Sequence, residues 1–162
     1  MRRAVFLDRD GTLNYDPGYI HDPDVLRLFP DVGAALQQFR RAGFLLIVVT
    51  NQSGIARGKI TPLQLQAVHA RLDVLLDPWA ACPDAYFICM HHPDEHCKCR
   101  KPSPFLILQA AKDFSIDCTR SLMIGDRMTD CEAGVRAGCR SYLIREPGAS
   151  FATLQDAANA LC

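Results

Sequence analysis

Two aspartates two residues apart close an apolar run, Val5-Phe6-Leu7-Asp8-Arg9-Asp10-Gly11-Thr12. Side chains two apart on an extended chain point the same way, so Asp8 and Asp10 are expected to face one volume. Like charges held side by side are costly unless a cation lies between them. A hard ion such as Mg2+ takes a few oxygen ligands, keeps some waters and often meets substrate phosphate. A third carboxylate, Asp126, follows another apolar run, Leu122-Met123-Ile124-Gly125. One carboxylate of such a set can attack phosphorus and form an aspartyl phosphate. Its neighbour can then give a proton to the leaving oxygen. Asp130 reads equally well as support for this site, from behind the metal or by orienting Lys101, and as the cap of a helix near Thr129.

A second cluster has different chemistry. Cys89-x-His91 and Cys97-x-Cys99 bring three thiols and an imidazole into one short stretch. These are ligand types that Zn2+ prefers, and four of them make a closed structural site with no open position for catalysis. Such a metal supplies folding free energy to a loop with no core of its own. His92 and His96 are spare imidazoles, either of which could replace His91. The loop runs directly into Arg100-Lys101, so the expected zinc aims two cations. The other cysteines, Cys82, Cys118, Cys131, Cys139 and Cys162, are scattered and read as small apolar residues.

These groups need a scaffold. Apolar or β-branched runs at residues 4–7, 45–50, 85–89, 121–124 and 141–144 predict five strands. Near-continuous hydrophobicity, clearest in Leu45-Leu46-Ile47-Val48-Val49-Thr50, is that of parallel strands buried on both faces. Helices are expected between them. Asp31 and Gly43 bound the first, Thr61-Pro62 opens the second and Ser103-Pro104 the third. The fourth spans about 129–137 and the last about 151–161. This alternation predicts an α/β fold with a mainly parallel sheet, and such sheets bind ligands at the carboxyl ends of their strands. Those ends carry Asp8 and Asp10, then Thr50, Asn51, Gln52 and Ser53, then the Cys/His loop with Arg100 and Lys101, then Asp126 and Arg127.

The chain has 162 residues, the length of one domain covering 1–162, with 18 basic and 18 acidic side chains. That balance argues against a broad nucleic-acid footprint. No apolar run approaches the length of a membrane span, and the start is too short in hydrophobics for a signal peptide. The expectation is a cytoplasmic monomer with no nucleic-acid or membrane partner.

Taken together, Val5 to Asn14, Val48-Val49-Thr50-Asn51-Gln52-Ser53-Gly54, Arg100-Lys101-Pro102 and Met123-Ile124-Gly125-Asp126 resemble the haloacid dehalogenase (HAD) superfamily of phosphatases, in that family's order. The resemblance implies a three-layer Rossmann-like fold, with Asp8 as nucleophile and Asp10 as general acid and base. It implies Mg2+ held by the Asp8 carboxylate, the Asp10 carbonyl and Asp126. It implies a phosphoryl group held by Thr50 and Lys101, with the Asn51 region helping. The Cys/His loop resembles one branch, which holds heptose-bisphosphate phosphatases and histidinol-phosphate phosphatases. Thr50 to Gly58 looks like the heptose side, and so do Asp16, Pro17, Gly18 and Tyr19 as a substrate loop, although many heptose enzymes have His at the position of Pro17. The five residues between His91 and Cys97 are shared with the histidinol side.

On this resemblance Asp16 to Tyr19, Asn51, Gln52, Ser53, Arg100 and Arg127 contact substrate, a small phosphorylated sugar. Arg100 would grip a second phosphate that is not cleaved. The expected activity is removal of the 7-phosphate of a heptose 1,7-bisphosphate. Histidinol-phosphate hydrolysis is the alternative; a polynucleotide 3′-phosphatase or a non-catalytic phospho-ligand module is further off. No segment is long enough for a cap domain.

Overall fold

A computed structural model describes residues 1–162. Five strands, β1 (Arg3–Leu7), β2 (Phe44–Asn51), β3 (Ala85–Cys89), β4 (Leu122–Gly125) and β5 (Arg140–Leu143), form one sheet in the order β3-β2-β1-β4-β5. Every neighbouring pair is parallel. The helices are α1 (Val32–Arg41), α2 (Pro62–Leu76), α3 (Phe105–Phe114), α4 (Met128–Ala137) and α5 (Leu154–Leu161).

Period-two alternation divides the strands between two cores. Val5 and Leu7, Leu46 and Val48, Leu122 and Ile124 pack with α1, α2 and α5. Ala4 and Phe6, Ile47 and Val49, and Met123 pack with α3 and α4 on the opposite face. A sheet apolar on both faces needs cover on both, which gives the three layers.

Local signals set the helix starts. Thr61 closes a capping box with Gln64, and Pro62 occupies the first helical turn of α2. At α1 the cap differs from expectation. Asp31 makes no side-chain bond to its own helix. Its carboxylate instead accepts from the backbone N–H of Leu154 and Gln155 and from Arg145, so it anchors the start of α5.

The segments between β1 and α1 and between β3 and α3 are loops, with single 3-10 turns at Pro23–Val25 and Pro93–Glu95. Neither builds a cap, and the carboxyl edge of the sheet stays open.

Candidate active site

The open edge holds a cleft of about 870 Å³ lined by the ends of β1, β2 and β4 and by the loop after β3. Asp8 lies one residue past β1 and is buried. Lys101 Nζ donates to Asp8 Oδ1 at 2.7 Å and to the Val49 carbonyl at 2.7 Å, and pairs with Asp130 Oδ1 at 2.7 Å. Burial pushes the Asp8 carboxyl up; Lys101 opposes this, and Asp130 and Asp10 add to it. For Lys101, burial opposes the charge, but Asp8 and Asp130 outweigh it and hold the ammonium.

Asp130 answers both sequence readings at once. One oxygen pairs with Lys101, and the other accepts from the backbone N–H of Arg127, closing the start of α4. This requires close approach to β4: a Cβ on Gly125 would sit 2.2 Å from Asp130 Oδ2. Gly11 is equally constrained. It adopts φ +80°, and a Cβ there would meet Asp126 Oδ2 at 2.2 Å. Asp126 also accepts from the Thr12 hydroxyl at 3.1 Å. Burial and then Asp130 raise its carboxyl.

Carboxylate oxygens of Asp8, Asp126 and Asp130 lie within 4.8 Å of one another. Three acids around one lysine leave negative charge in excess, and hard oxygens are the donors Mg2+ takes. The donor set therefore fits a divalent cation, which would also restore the ionised form of Asp8.

Asp10 lines the same cleft as Asp8, as expected, but its side chain lies outside that cluster. The reason is local. The strand ends at Leu7, and the Arg9 carbonyl accepts from the N–H groups of Thr12, Leu13 and Asn14, so residues 8–10 enter a turn. The Asp10 carboxylate faces four donors: two nitrogens of Arg9 at 3.0 Å each, Asn14 at 3.0 Å and Gln52 at 2.8 Å. Burial would raise its pKa, but Arg9 and these hydrogen bonds outweigh burial and leave it below the usual carboxylate range.

The end of β2 organises the other wall. Asn51 brackets the backbone of Lys101, accepting from its N–H at 3.1 Å and donating to its carbonyl at 3.4 Å. Gln52 donates to both Asp10 and Thr50. Thr50 itself is buried, with its hydroxyl against Gln52. Asp16, Gly18, Tyr19, Ser53, Arg100 and Arg127 line the cleft, whereas Pro17 is not on its wall. Asp16 and Arg127 approach to 3.7 Å across the rim. Arg100 carries a buried terminal nitrogen with no hydrogen-bond partner.

The Cys/His loop forms a compact cluster. Sγ of Cys89 lies 3.5 Å from Cys97 and 3.7 Å from His91 Nδ1; Cys99 lies 3.6 Å from Cys97 and 3.2 Å from His91 Nδ1. A tetrahedron with Zn–S bonds of about 2.3 Å has edges of roughly 3.5–3.8 Å; three of the four distances lie in that range and the His91–Cys99 distance is shorter, so the cluster is close to the geometry that metal takes. His92 is used elsewhere, accepting from the Asp94 N–H.

Sequence reasoning missed Arg9, Asn14 and His69. All three are buried polar residues that meet Asp10 directly or through Arg9. Arg9 was visible as a charge inside an apolar run, but its partner His69 lies 60 positions away.

A parallel sheet with acids, a buried lysine and a polar cleft at its carboxyl edge defines the class as a HAD-type hydrolase. Residues 98–160 match the HAD-hydrolase-like family model. The chain is 41% identical over 154 residues to the D-glycero-β-D-manno-heptose-1,7-bisphosphate 7-phosphatase of Haemophilus ducreyi, covering 91% of this chain and 85% of that protein. It is 39% identical over 152 residues to the Escherichia coli K12 protein of the same name, covering 90% and 80%. Its fold superposes with a TM-score of 0.90 on the D,D-heptose 1,7-bisphosphate phosphatase of B. bronchiseptica, solved with magnesium and phosphate, at 29% identity and covering 98% and 97% of the two chains. The chain belongs to the HAD-like hydrolases, in the family of the D-glycero-β-D-manno-heptose-1,7-bisphosphate 7-phosphatases.

Proposed function

We propose that this protein is a Mg2+-dependent phosphomonoesterase that removes the 7-phosphate of D-glycero-β-D-manno-heptose 1,7-bisphosphate. The observation that carries the reading is two cationic positions in one cleft. Lys101 is matched by Asp8 and Asp130, whereas Arg100 has a buried nitrogen without a partner. A bisphosphate supplies an anion for each. Histidinol phosphate would leave the second one empty.

In this reading an Asp8 oxygen bonds to phosphorus as the bond to the sugar oxygen breaks, and Asp10 gives that oxygen its proton. Water then attacks the aspartyl phosphate. Asp10 takes the water proton, and the Asp8–phosphorus bond breaks to release phosphate. The Asp10 carboxyl is depressed without substrate; an arriving phosphate dianion raises its proton affinity, so it takes a proton from solvent for the first half, and having given it up is ionised for the second. Lys101, Thr50 and the Asn51 region offset charge on the transferring oxygens. Mg2+, held by Asp8, the Asp10 carbonyl and Asp126, would supply further positive charge there. Asp16, Gly18, Tyr19, Asn51, Gln52, Ser53 and Arg127, all on the cleft wall, are assigned to substrate. Zn2+ on Cys89, His91, Cys97 and Cys99 is assigned to holding the Arg100-Lys101 loop.

The test is the stoichiometry and position of cleavage on the bisphosphate. The reading requires one equivalent of phosphate and a product that retains its C1 phosphate. Release from C1, or no release with Mg2+ present, contradicts it.

A further inference from the structure

Arg9 is fully buried, an uncommon place for a guanidinium. Each of its nitrogens has a partner inside the protein. Nε and one terminal nitrogen grip the two oxygens of Asp10, and the other terminal nitrogen lies 3.0 Å from Nε2 of His69. A guanidinium only donates, so Nε2 of His69 is the acceptor and the ring proton sits on Nδ1. Burial, helped by Arg9, takes the His69 imidazole down to about 3, so it stays neutral at working pH.

Two elements fix this ring. His69 lies on α2 and stacks on Tyr86 of β3, with centroids 4.3 Å apart and planes 11° apart. The Tyr86 hydroxyl donates to Asp73 at 2.6 Å, and Asp73 sits one turn further along α2. The chain of contacts therefore runs from the scaffold through His69 and Arg9 to the Asp10 carboxylate. Without an acceptor at His69, Arg9 has reason to rotate away, and its two-point grip on Asp10 goes with it.

We propose that His69 is a positioning residue for Asp10, holding the Arg9 fork so that the Asp10 carboxyl is aimed at the leaving oxygen. This rests on the reading of Asp10 as general acid and base. The proposal has a particular kinetic signature. A sugar alkoxide leaves poorly without a proton, whereas p-nitrophenolate leaves readily without one. Misaiming Asp10 therefore slows formation of the aspartyl phosphate, read as kcat/KM, with the first kind of substrate and spares it with the second; the water attack that follows also uses Asp10 and is common to both. A structural defect in the site would lower kcat/KM on both.

The experiment compares the Mg2+-loaded protein with four variants: His69→Phe, His69→Gln, Asp10→Asn and the double variant Asp10→Asn/His69→Phe. Each is assayed on heptose 1,7-bisphosphate and on p-nitrophenyl phosphate. Phe keeps the stack on Tyr86 but offers no acceptor; His69→Leu serves if Phe does not fold. The expected result for His69→Phe is a kcat/KM on the bisphosphate lower by roughly 10- to 100-fold. Its kcat/KM on p-nitrophenyl phosphate should stay within about twofold, because that leaving group needs no proton, whereas the later water attack slows kcat on both substrates. Gln, which keeps an acceptor oxygen, should restore most of the rate. In the Asp10→Asn background His69→Phe should cost nothing more. Equal losses of kcat/KM on both substrates, or fully additive losses in the double variant, overturn the proposal. So does wild-type kcat/KM on the bisphosphate in His69→Phe while Asp10→Asn is slow, and the reading of Asp10 then survives. Wild-type rate in Asp10→Asn itself removes the acid–base reading and this inference together.

Discussion

An ammonium 2.7 Å from both Asp8 and Asp130 leaves the nucleophile candidate poised but protected. The assigned roles make separable predictions. Asp8→Asn keeps the shape of the site and removes the attacking oxygen, so kcat should fall by at least about 10³-fold. Lys101 retains Asp130, and circular dichroism should show an unchanged fold. Arg100→Ala acts differently. Loss of a charge-assisted grip, about 1.5–3 kcal/mol, should raise KM for the bisphosphate roughly 10- to 100-fold, with little effect on p-nitrophenyl phosphate. An equal effect on both substrates would remove the second-phosphate role. At this scale the sequence was only half legible. The acids, Thr50 and Lys101 lie in short motifs beside strand ends. Arg9 and Asp130 needed the fold, because their meaning comes from partners remote in sequence: His69 and Lys101.

At the scale of elements, strands and helices fell where apolar runs and caps predicted them, because each signal is local. Thr61-Pro62 opens α2 as read. Ser103-Pro104 opens α3 with no side-chain cap from Pro104, and the Ser103 hydroxyl accepts from the Phe105 N–H. The exceptions were the Asp31 cap of α1, whose carboxylate turns to α5 instead, and the turn after β1, where backbone hydrogen bonds to Arg9 replace the extended geometry. The Cys/His loop joins β3 to the Arg100-Lys101 segment, and Gln52 N–H bonds to the Cys89 carbonyl at its root. If Zn2+ fixes that loop, Cys99→Ser or strong chelation should lower the melting temperature by several degrees. Bound zinc, assayed by mass spectrometry of the native protein, should fall from one equivalent towards none. An unchanged melting curve after zinc removal would deny the loop its metal dependence.

For the whole molecule, stability should depend on acid through His69. Its folded imidazole is held near 3, against an ordinary value of about 6.5. Below about 6.5 the unfolded chain takes up a proton that the folded chain refuses. Its contribution is therefore complete above that pH and declines by about 1.4 kcal/mol per unit as pH falls toward 3. Asp10, whose carboxyl is depressed, adds a loss only at lower pH, below the ordinary aspartate range. Asp8, its carboxyl raised to about 8, gives the opposite slope in this window, so the imidazole is read as the difference between wild type and His69→Gln in urea melts between pH 7 and 5, a difference that should shrink as pH falls. An unchanged slope in that variant would place its origin elsewhere. The molecule has no helix long and apolar enough to cross a membrane. Its cleft is closed by no cap, so specificity falls to the loop residues themselves. The central claim, a bisphosphate read by Lys101 and Arg100 together, is tested most directly by kcat/KM with Mg2+ on heptose 1,7-bisphosphate and histidinol phosphate side by side. The account predicts a preference for the bisphosphate of at least about 10²-fold, the worth of one charge-assisted bidentate contact or more. Equal rates, or a preference for histidinol phosphate, would contradict it.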